Sequence, residues 1–295
     1  MAVNTNKQSM HEGVPRDGGS EVVFDSVSFT YPGAGERALT DVSIGVRAGE
    51  HLGIVGPNGG GKSTLLKLLV GVLVPAAGRV SVAGCEPGVA RRERLVGYVP
   101  QRSEAGLDWP ISVRRAVALP LAAGRTGFTR GGAEERARVD EALGVVGITD
   151  LGERRIGTLS GGQFQRAMIA RAVASGASVL ALDEPTVGVD AEGQQRFADL
   201  MRRLRERVGL TVVIVSHDLR AIAAGCDRVA CLARTLHYHD APSGLTPQVL
   251  AQVFRHDVEG VFGAVHIDAH EAADCDDPSH GHGQPPGELR GRGDA

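Results

Sequence analysis

A chain of 295 residues holds one large domain or two small ones and has length enough to bury a full core. Its net charge of −3 argues against a strongly basic nucleic-acid surface. The four cysteines (Cys85, Cys226, Cys231, Cys275) form no C-x-x-C pair, which fits reduced thiols rather than a disulfide framework, and no apolar run approaches the roughly 18 residues that cross a bilayer.

In chain order, residues 1–20 are polar, with Gly13, Pro15, Gly18 and Gly19 and no apolar stretch, the composition of a loose leader rather than a signal peptide. Val23, Asp25, Val27 and Phe29 alternate with Phe24, Ser26 and Ser28, and Val42, Ile44 and Val46 repeat the period of two, so two strands are expected. Between them, Tyr31-Pro32-Gly33 is a turn that leaves an aromatic ring near a strand end. Such a ring serves as a packed core tyrosine or as a ligand platform.

The next stretch is the most informative in the chain. The apolar run His51–Val55 breaks into Gly56-Pro57-Asn58-Gly59-Gly60-Gly61, and Lys62-Ser63-Thr64 then opens a helical pattern of Leu65, Leu66, Leu68 and Leu69. This is G-x-x-x-x-G-K-[ST] between a strand and a helix, the arrangement of a phosphate cradle. Its glycines let successive backbone N–H groups turn inward, and the helix N-terminus adds its positive end. Lys62 can then reach the β- and γ-phosphates of a nucleotide, and the Ser63 hydroxyl can ligate Mg²⁺.

Further strands are expected over residues 79–84 and over 95–101, the latter ending in Pro100-Gln101. From Val113 to about Val146 the texture changes to helices punctuated by Gly124, Gly127, Gly131 and Gly132, an inserted helical piece. Leu159-Ser160-Gly161-Gly162-Gln163 then opens the Ala-rich helical run Phe164–Ala174. The serine and glycines at its start read as a plain helix cap or as a second anion site. Val179–Leu182 is a buried-strand run ending in Asp183-Glu184, a carboxylate pair suited to Mg²⁺ and to orienting water, or simply the polar end of a strand.

Asp190 precedes a helix in which Phe197, Leu200, Met201, Leu204 and Val208 share one face. The apolar strand Thr211–Val215 delivers Ser216-His217-Asp218 to its end, where open α/β sheets place their ligands. Strand-like pieces over 228–232 and 234–239 lead to a short helix over 247–254.

Taken in order, Tyr31, the phosphate loop, Gln101, LSGGQ, the Leu-Asp-Glu-Pro strand and His217 resemble the nucleotide-binding subunit of the ATP-binding cassette family. The resemblance covers roughly residues 21–240. It implies an α/β fold: a RecA-like P-loop NTPase core with an N-terminal antiparallel β subdomain and an inserted α-helical subdomain over about 102–158. The domain plan that follows is a flexible leader at 1–20, an ATPase domain over 21–245, a short helical extension at 246–265 and a tail at 266–295.

The same resemblance implies a role for each motif residue. Tyr31 would stack on adenine, and Gly56, Pro57, Asn58, Gly59, Gly60, Gly61, Lys62, Ser63 and Thr64 would hold the phosphates. Ser63 with Asp183 would bind Mg²⁺, and Gln101 would sense that metal. Glu184 would polarise the attacking water, and His217 would contact the γ-phosphate. Ser160, Gly161, Gly162 and Gln163 would close over ATP bound by a second copy, with Asp190 at the same seam. A dimer, an integral membrane permease and, indirectly, an external substrate-binding protein are the implied partners, with nucleic acid excluded. Such a subunit sits peripherally on the cytoplasmic face of the membrane and hydrolyses ATP to drive transport.

Within the family, Tyr98–Arg102 followed by Asp108–Val113, the run LSGGQFQR and Gly188-Val189-Asp190 look like subunits that import manganese, zinc or iron. Haem or ferric-siderophore import is the alternative, and a soluble non-transport cassette ATPase a more distant one. Two residues depart from the family pattern: Gly60 stands where alanine or serine is common, and Val187 precedes Gly188 where a threonine or other small residue is usual. The tail brings His266, His270, Cys275, His280 and His282 among Asp268, Asp274, Asp276 and Asp277. It reads as a disordered acidic extension or as a segment that binds divalent metal.

Overall fold

Two sheets and a layer of helices make up the described structure. The computed structural model describes residues 20–101, 110–122, 132–186, 190–219, 222, 225–246 and 253–254. The leader at 1–19, Arg102–Trp109, Val187–Val189, the start of the helix expected over 247–254 and the His-rich tail lie outside these residues.

The first sheet is antiparallel, in the order β2-β1-β4, from β1 (Ser20–Phe29), β2 (Leu39–Arg47) and β4 (Ala77–Val82). The second has six strands in the order β5-β6-β7-β3-β8-β9. Its strands β3 (His51–Val55), β5 (Val96–Val99), β6 (Val179–Asp183), β7 (Thr211–Val215) and β8 (Arg228–Ala233) run parallel, and β9 (Thr235–Asp240) pairs antiparallel with β8.

The central strands read as unbroken apolar runs because both of their faces are covered. Leu180, Leu182, Val212 and Ile214 point into a core shared with the helices α3 (Val113–Ala122), α4 (Ala133–Val146), α5 (Gly161–Ser175) and α6 (Ala191–Val208). Their neighbours Val179, Ala181, Val213 and Val215 point the other way, into a core shared with the antiparallel sheet and α1 (Lys62–Leu69). One sheet therefore separates two hydrophobic cores. A short helix, α2 (Pro87–Arg92), precedes β5.

Local chemistry explains where the simple periods fail. Along β1 the buried set is Val22 and Phe24, then Val27 and Phe29, so Val23 and Asp25 are not on the inward face. Ser26 adopts φ 50 and the register shifts between Phe24 and Val27, a bulge that resets which face points inward. The strand expected over 79–84 ends at Val82, because Ala83 and Gly84 take positive φ in a turn. In α6 the apolar face buries Leu200, Met201 and Leu204, but Val208 in the last turn is 38% exposed, so the stripe ends a turn early.

The antiparallel sheet is fastened to the larger one by a buried ion pair. Arg228 at the start of β8 meets Glu50 at 2.9 Å and donates to the Gly45 carbonyl of β2 at 2.6 Å, while Glu50 also accepts from the Arg47 N–H at 2.7 Å. Thr40 of β2 adds a backbone bond to the Arg234 carbonyl.

His51, the first residue of β3, is fully buried. Its ring nitrogens approach the backbone at Gly225 and Leu210 without the geometry of a hydrogen bond. Burial, helped by the nearby Arg205 charge and opposed by Asp227, lowers its pKa to about 4. The unfolded chain therefore takes up a proton first as pH falls. Stability from this residue is complete above the unfolded value near 6.5 and is lost progressively as pH drops toward 4. Between about pH 7.5 and about pH 5 the native state should lose about 2 kcal/mol more than His51→Leu does. Chemical denaturation of both proteins at the two pH values measures this; parallel losses would assign the ring no part in acid sensitivity.

Candidate functional site

Strand β3 ends at Val55, and the chain turns at once beneath the end of β8. A Cβ on Gly56 would lie 1.9 Å from the Leu232 carbonyl oxygen, so close backbone approach fixes glycine there. Gly61, at φ 92, is fixed by its left-handed conformation. Gly60 is the departure noted in the sequence, and the fold accounts for it: a Cβ would come within 2.8 Å of the same Leu232 oxygen and 2.9 Å of the Pro57 oxygen.

The loop then enters α1 with Lys62, a lysine only 6% exposed. Its Nζ donates to the carbonyls of Gly56 at 2.8 Å and Pro57 at 3.0 Å, so the ammonium closes the loop on itself. Tyr31 stands at the rim, edge-on to Phe29 with ring centroids 5.0 Å apart, and its hydroxyl shares a 3.1 Å hydrogen bond with the Thr64 hydroxyl. The ring is 37% exposed, at the rim of the cleft rather than within the core.

Asp183 ends β6 beside the first turn of α1. The Ser63 hydroxyl donates to Oδ1 at 3.3 Å and the Tyr98 hydroxyl donates to Oδ2 at 3.2 Å. Burial pushes the Asp183 carboxyl up, and the two donated bonds act in the opposite direction. Burial and the neighbouring carboxylate push the Tyr98 phenol up to about 12, so it remains a donor at neutral pH. Ser63 and Asp183 are hard oxygen donors side by side at a helix N-terminus, the small protein complement that Mg²⁺ takes beside phosphates. They fit that ion.

Glu184 follows in a left-handed conformation, φ 50. Its N–H donates to the Val215 carbonyl, which turns the side chain toward the next strand end. There the Glu184 Oε2 lies 2.7 Å from His217 Nδ1 and accepts from the His217 N–H at 3.3 Å. Tyr31, the phosphate loop, Gln101, Glu184 and His217 line one cleft of about 670 Å³.

The other motif lies elsewhere in the protomer. Ser160 caps α5 in a reciprocal box: its hydroxyl accepts from the Gln163 N–H at 3.4 Å, and its own N–H donates to Gln163 Oε1 at 3.0 Å. Asp190 caps α6 by accepting from the Gly193 N–H at 2.8 Å. Ser160, Gly162, Gln163 and Asp190 line a second cavity of about 610 Å³, which Arg166 and Arg196 also border. Within one protomer the serine-glycine helix end and the phosphate loop open into different clefts.

Two residues escaped the sequence reading. Tyr98 stands in the sequence as a strand residue opening the Tyr98–Arg102 run, and only the pairing of β5 with β6 brings it to Asp183. Phe254, from the segment after β9, is buried and lines the larger cleft. Its apolar character was legible, but not its destination.

Residues 39–187 match the profile of the family described as ABC transporter. The chain is 40% identical over 220 residues to the manganese transport system ATP-binding protein MntA of Synechocystis, which covers 73% of this chain and 82% of that one. It is 38% identical over 229 residues to the zinc import ATP-binding protein ZnuC of Cereibacter sphaeroides, covering 77% and 86%. Among solved structures, the dimeric post-hydrolysis state of the ATP-binding cassette MJ0796 with ADP and Pi superposes with a TM-score of 0.64 at 28% identity, over 76% of this chain and all of that one.

The loop geometry separates two glycines of the cradle. Gly56→Ala drives a methyl group into a backbone oxygen and should destabilise the protein by about 1–3 kcal/mol while weakening nucleotide binding. Gly59→Ala meets open space and bears only the strain of φ 75, about 1 kcal/mol. Denaturant midpoints and nucleotide titrations of the two variants test the ordering; a Gly56→Ala protein as stable as Gly59→Ala would contradict it.

Proposed function

The chain belongs to the ABC transporter family, and from that premise we propose that it is the ATPase subunit that powers import of a divalent metal ion, manganese or zinc, through a separate permease. The observation that carries the catalytic half is the convergence of the phosphate loop and the Glu184–His217 pair on one cleft, with Asp183 buried behind the loop on the Ser63 hydroxyl. The metal half rests on the relatives, which are named for manganese transport and zinc import.

In the proposed cycle the adenine ring stacks on Tyr31, and the phosphates enter the loop between Gly56 and Thr64. Lys62 exchanges the Gly56 and Pro57 carbonyls for the β- and γ-phosphates, since its ammonium already lies over the loop. Ser63 and Asp183 would hold Mg²⁺, directly or through water, and Gln101 would sense it; the ion would supply neutralisation of the charge building on the phosphates. Glu184 orients the attacking water, and His217, bonded to it, bridges toward the γ-phosphate.

The γ-phosphate still needs donors on its open side. Ser160, Gly161 and Gly162 begin a helix in which the capping box takes the Ser160 and Gln163 N–H groups and leaves those of Gly161 and Gly162 for an anion. Because they line a different cleft of the same protomer, they would reach ATP held by a second copy across a two-fold axis. Two half-sites then become two whole ones, and ATP binds the copies together until hydrolysis parts them.

Among the described residues no helix is long and apolar enough to cross a membrane. The subunit would therefore sit peripherally on a permease, on the cytoplasmic side where ATP is supplied. An external binding protein would deliver the metal to the permease and never touch this chain. The tail from His266 onward is a candidate for binding the same class of ion.

Glu184→Gln should still bind ATP and form the ATP-dependent dimer, with turnover reduced on the order of 10²–10⁴-fold because water loses its orienting partner. Phosphate release and gel filtration with ATP measure the two properties, and near-normal turnover would remove Glu184 from the role given it. The transport reading is tested by reconstituting the chain with a metal-import permease from the same organism. ATP-driven accumulation of Mn²⁺ or Zn²⁺ is expected, abolished by Glu184→Gln. Uptake of a ferric chelate or haem instead would overturn the metal-ion assignment while leaving the ATPase intact.

A further inference from the structure

The Asp183 carboxylate is 6% exposed, and each of its oxygens accepts one hydrogen bond, Oδ1 from Ser63 and Oδ2 from Tyr98. Ser63 belongs to the phosphate loop's own helix. Tyr98 does not: it stands on β5, an edge strand of the central sheet, and comes three residues before Gln101.

Strand β5 has two working faces. A Cβ on Gly97 would lie 2.4 Å from the Ala172 Cβ, so this side of the strand is pressed against α5, the helix that Ser160 caps. Successive strand residues point to opposite faces, and Tyr98 accordingly packs into the core on the α1 side. In the register Tyr98 is paired with Ala181, two residues before Asp183, and its ring spans that distance to place the hydroxyl on Oδ2.

A carboxylate held at one oxygen can still turn about its last bond. Held at both by donors on different elements, it has one orientation. We propose that Tyr98 is a positioning residue for the Mg²⁺ site, holding the Asp183 carboxylate ready for the ion and joining the strand that leads to Gln101 to that carboxylate.

The inference rests on reading Ser63 and Asp183 as the Mg²⁺ site, and the experiment keeps the two apart. Its measure is the gain in ADP affinity that Mg²⁺ confers, obtained by calorimetry on the full chain in Mg²⁺ and in a chelator. Wild type, Tyr98→Phe and Ser63→Ala are compared. Phe keeps the ring and removes only the hydroxyl, so the metal-free ADP affinity should stay at the wild-type value, while the denaturation midpoint falls only as far as the loss of one buried hydrogen bond takes it. The Mg²⁺-dependent gain should fall about tenfold, the size usual when a hydrogen-bond partner of a metal-holding carboxylate is removed. Mn²⁺ in place of Mg²⁺, followed by its electron spin resonance, should show the same weakening without any turnover.

An unchanged Mg²⁺ gain in Tyr98→Phe alongside a reduced one in Ser63→Ala would overturn the role of Tyr98 and leave the metal site standing. Equal losses with and without Mg²⁺ would make the tyrosine a packing residue only, and that too overturns it. If Ser63→Ala keeps the full gain, the metal site itself is misassigned and the role of Tyr98 falls with it.

Discussion

The hydrogen bond from Ser63 to Asp183 joins the first turn of the phosphate-loop helix to the end of β6, two strands away from β3 in the sheet. Much of the site geometry follows from that one connection. It requires the loop after Val55 to turn sharply enough that α1 starts beside β6, and the turn runs so close to Leu232 that neither Gly56 nor Gly60 has room for a side chain. It also requires a carboxylate to arrive at that height, which the parallel strands provide because their carboxyl ends lie along one edge.

The same edge explains the second pair. Glu184 takes a left-handed backbone conformation one residue after Asp183, a cost on the order of 1 kcal/mol for a residue other than glycine. The turn bonds its N–H to the Val215 carbonyl and sends its carboxylate to His217, at the end of the adjacent strand. Two neighbouring carboxylates thus face different partners, Asp183 toward serine and tyrosine and Glu184 toward histidine. Asp183 is buried, whereas His217 stands open to the cleft, so the pair that would meet water is the more accessible one.

Much of this was legible in the residues before any coordinates. The strand-loop-helix of His51–Leu69 declares itself because its glycines, lysine and hydroxyl each have a separate job at a fixed spacing, and the buried runs of β6 and β7 declare a sheet covered on both faces. What stayed hidden depends on contacts between distant segments. The β1 alternation hides a bulge at Ser26, which nothing local marks. Gly60 looked like a neutral departure until β8 was seen to pass over it. Tyr98 could not be linked to Asp183 without the β5–β6 register, because pairing between strands 83 residues apart is a property of the fold and not of either segment. Ser160 left two readings open. The capping box shows that the helix cap exists, and a cap on this helix still leaves other first-turn N–H groups for a ligand, so the two readings coexist.

The Arg228–Glu50 pair belongs in the same account. A buried ion pair is weak evidence for stability, since removing two charges from water offsets much of their attraction. Its consequence here is positional. Arg228 begins β8 and also binds the Gly45 carbonyl of β2, so it fixes the antiparallel sheet against the strand whose Leu232 oxygen sets the path of the phosphate loop. That sheet carries Phe29 at the end of β1, on whose ring Tyr31 leans, and Leu39, against which Gly61 is packed without room for a methyl group. The Tyr31 ring and the glycine-rich loop are thereby held in one frame. The helices that present Ser160 and Asp190 pack on the opposite face of the central sheet, with β5 in contact with α5 at Gly97 and with Asp183 at Tyr98. A shift of α5 against the sheet would bear on that strand at Gly97, and the tyrosine hydroxyl next to it is bonded to Asp183, which Ser63 of the loop helix also holds.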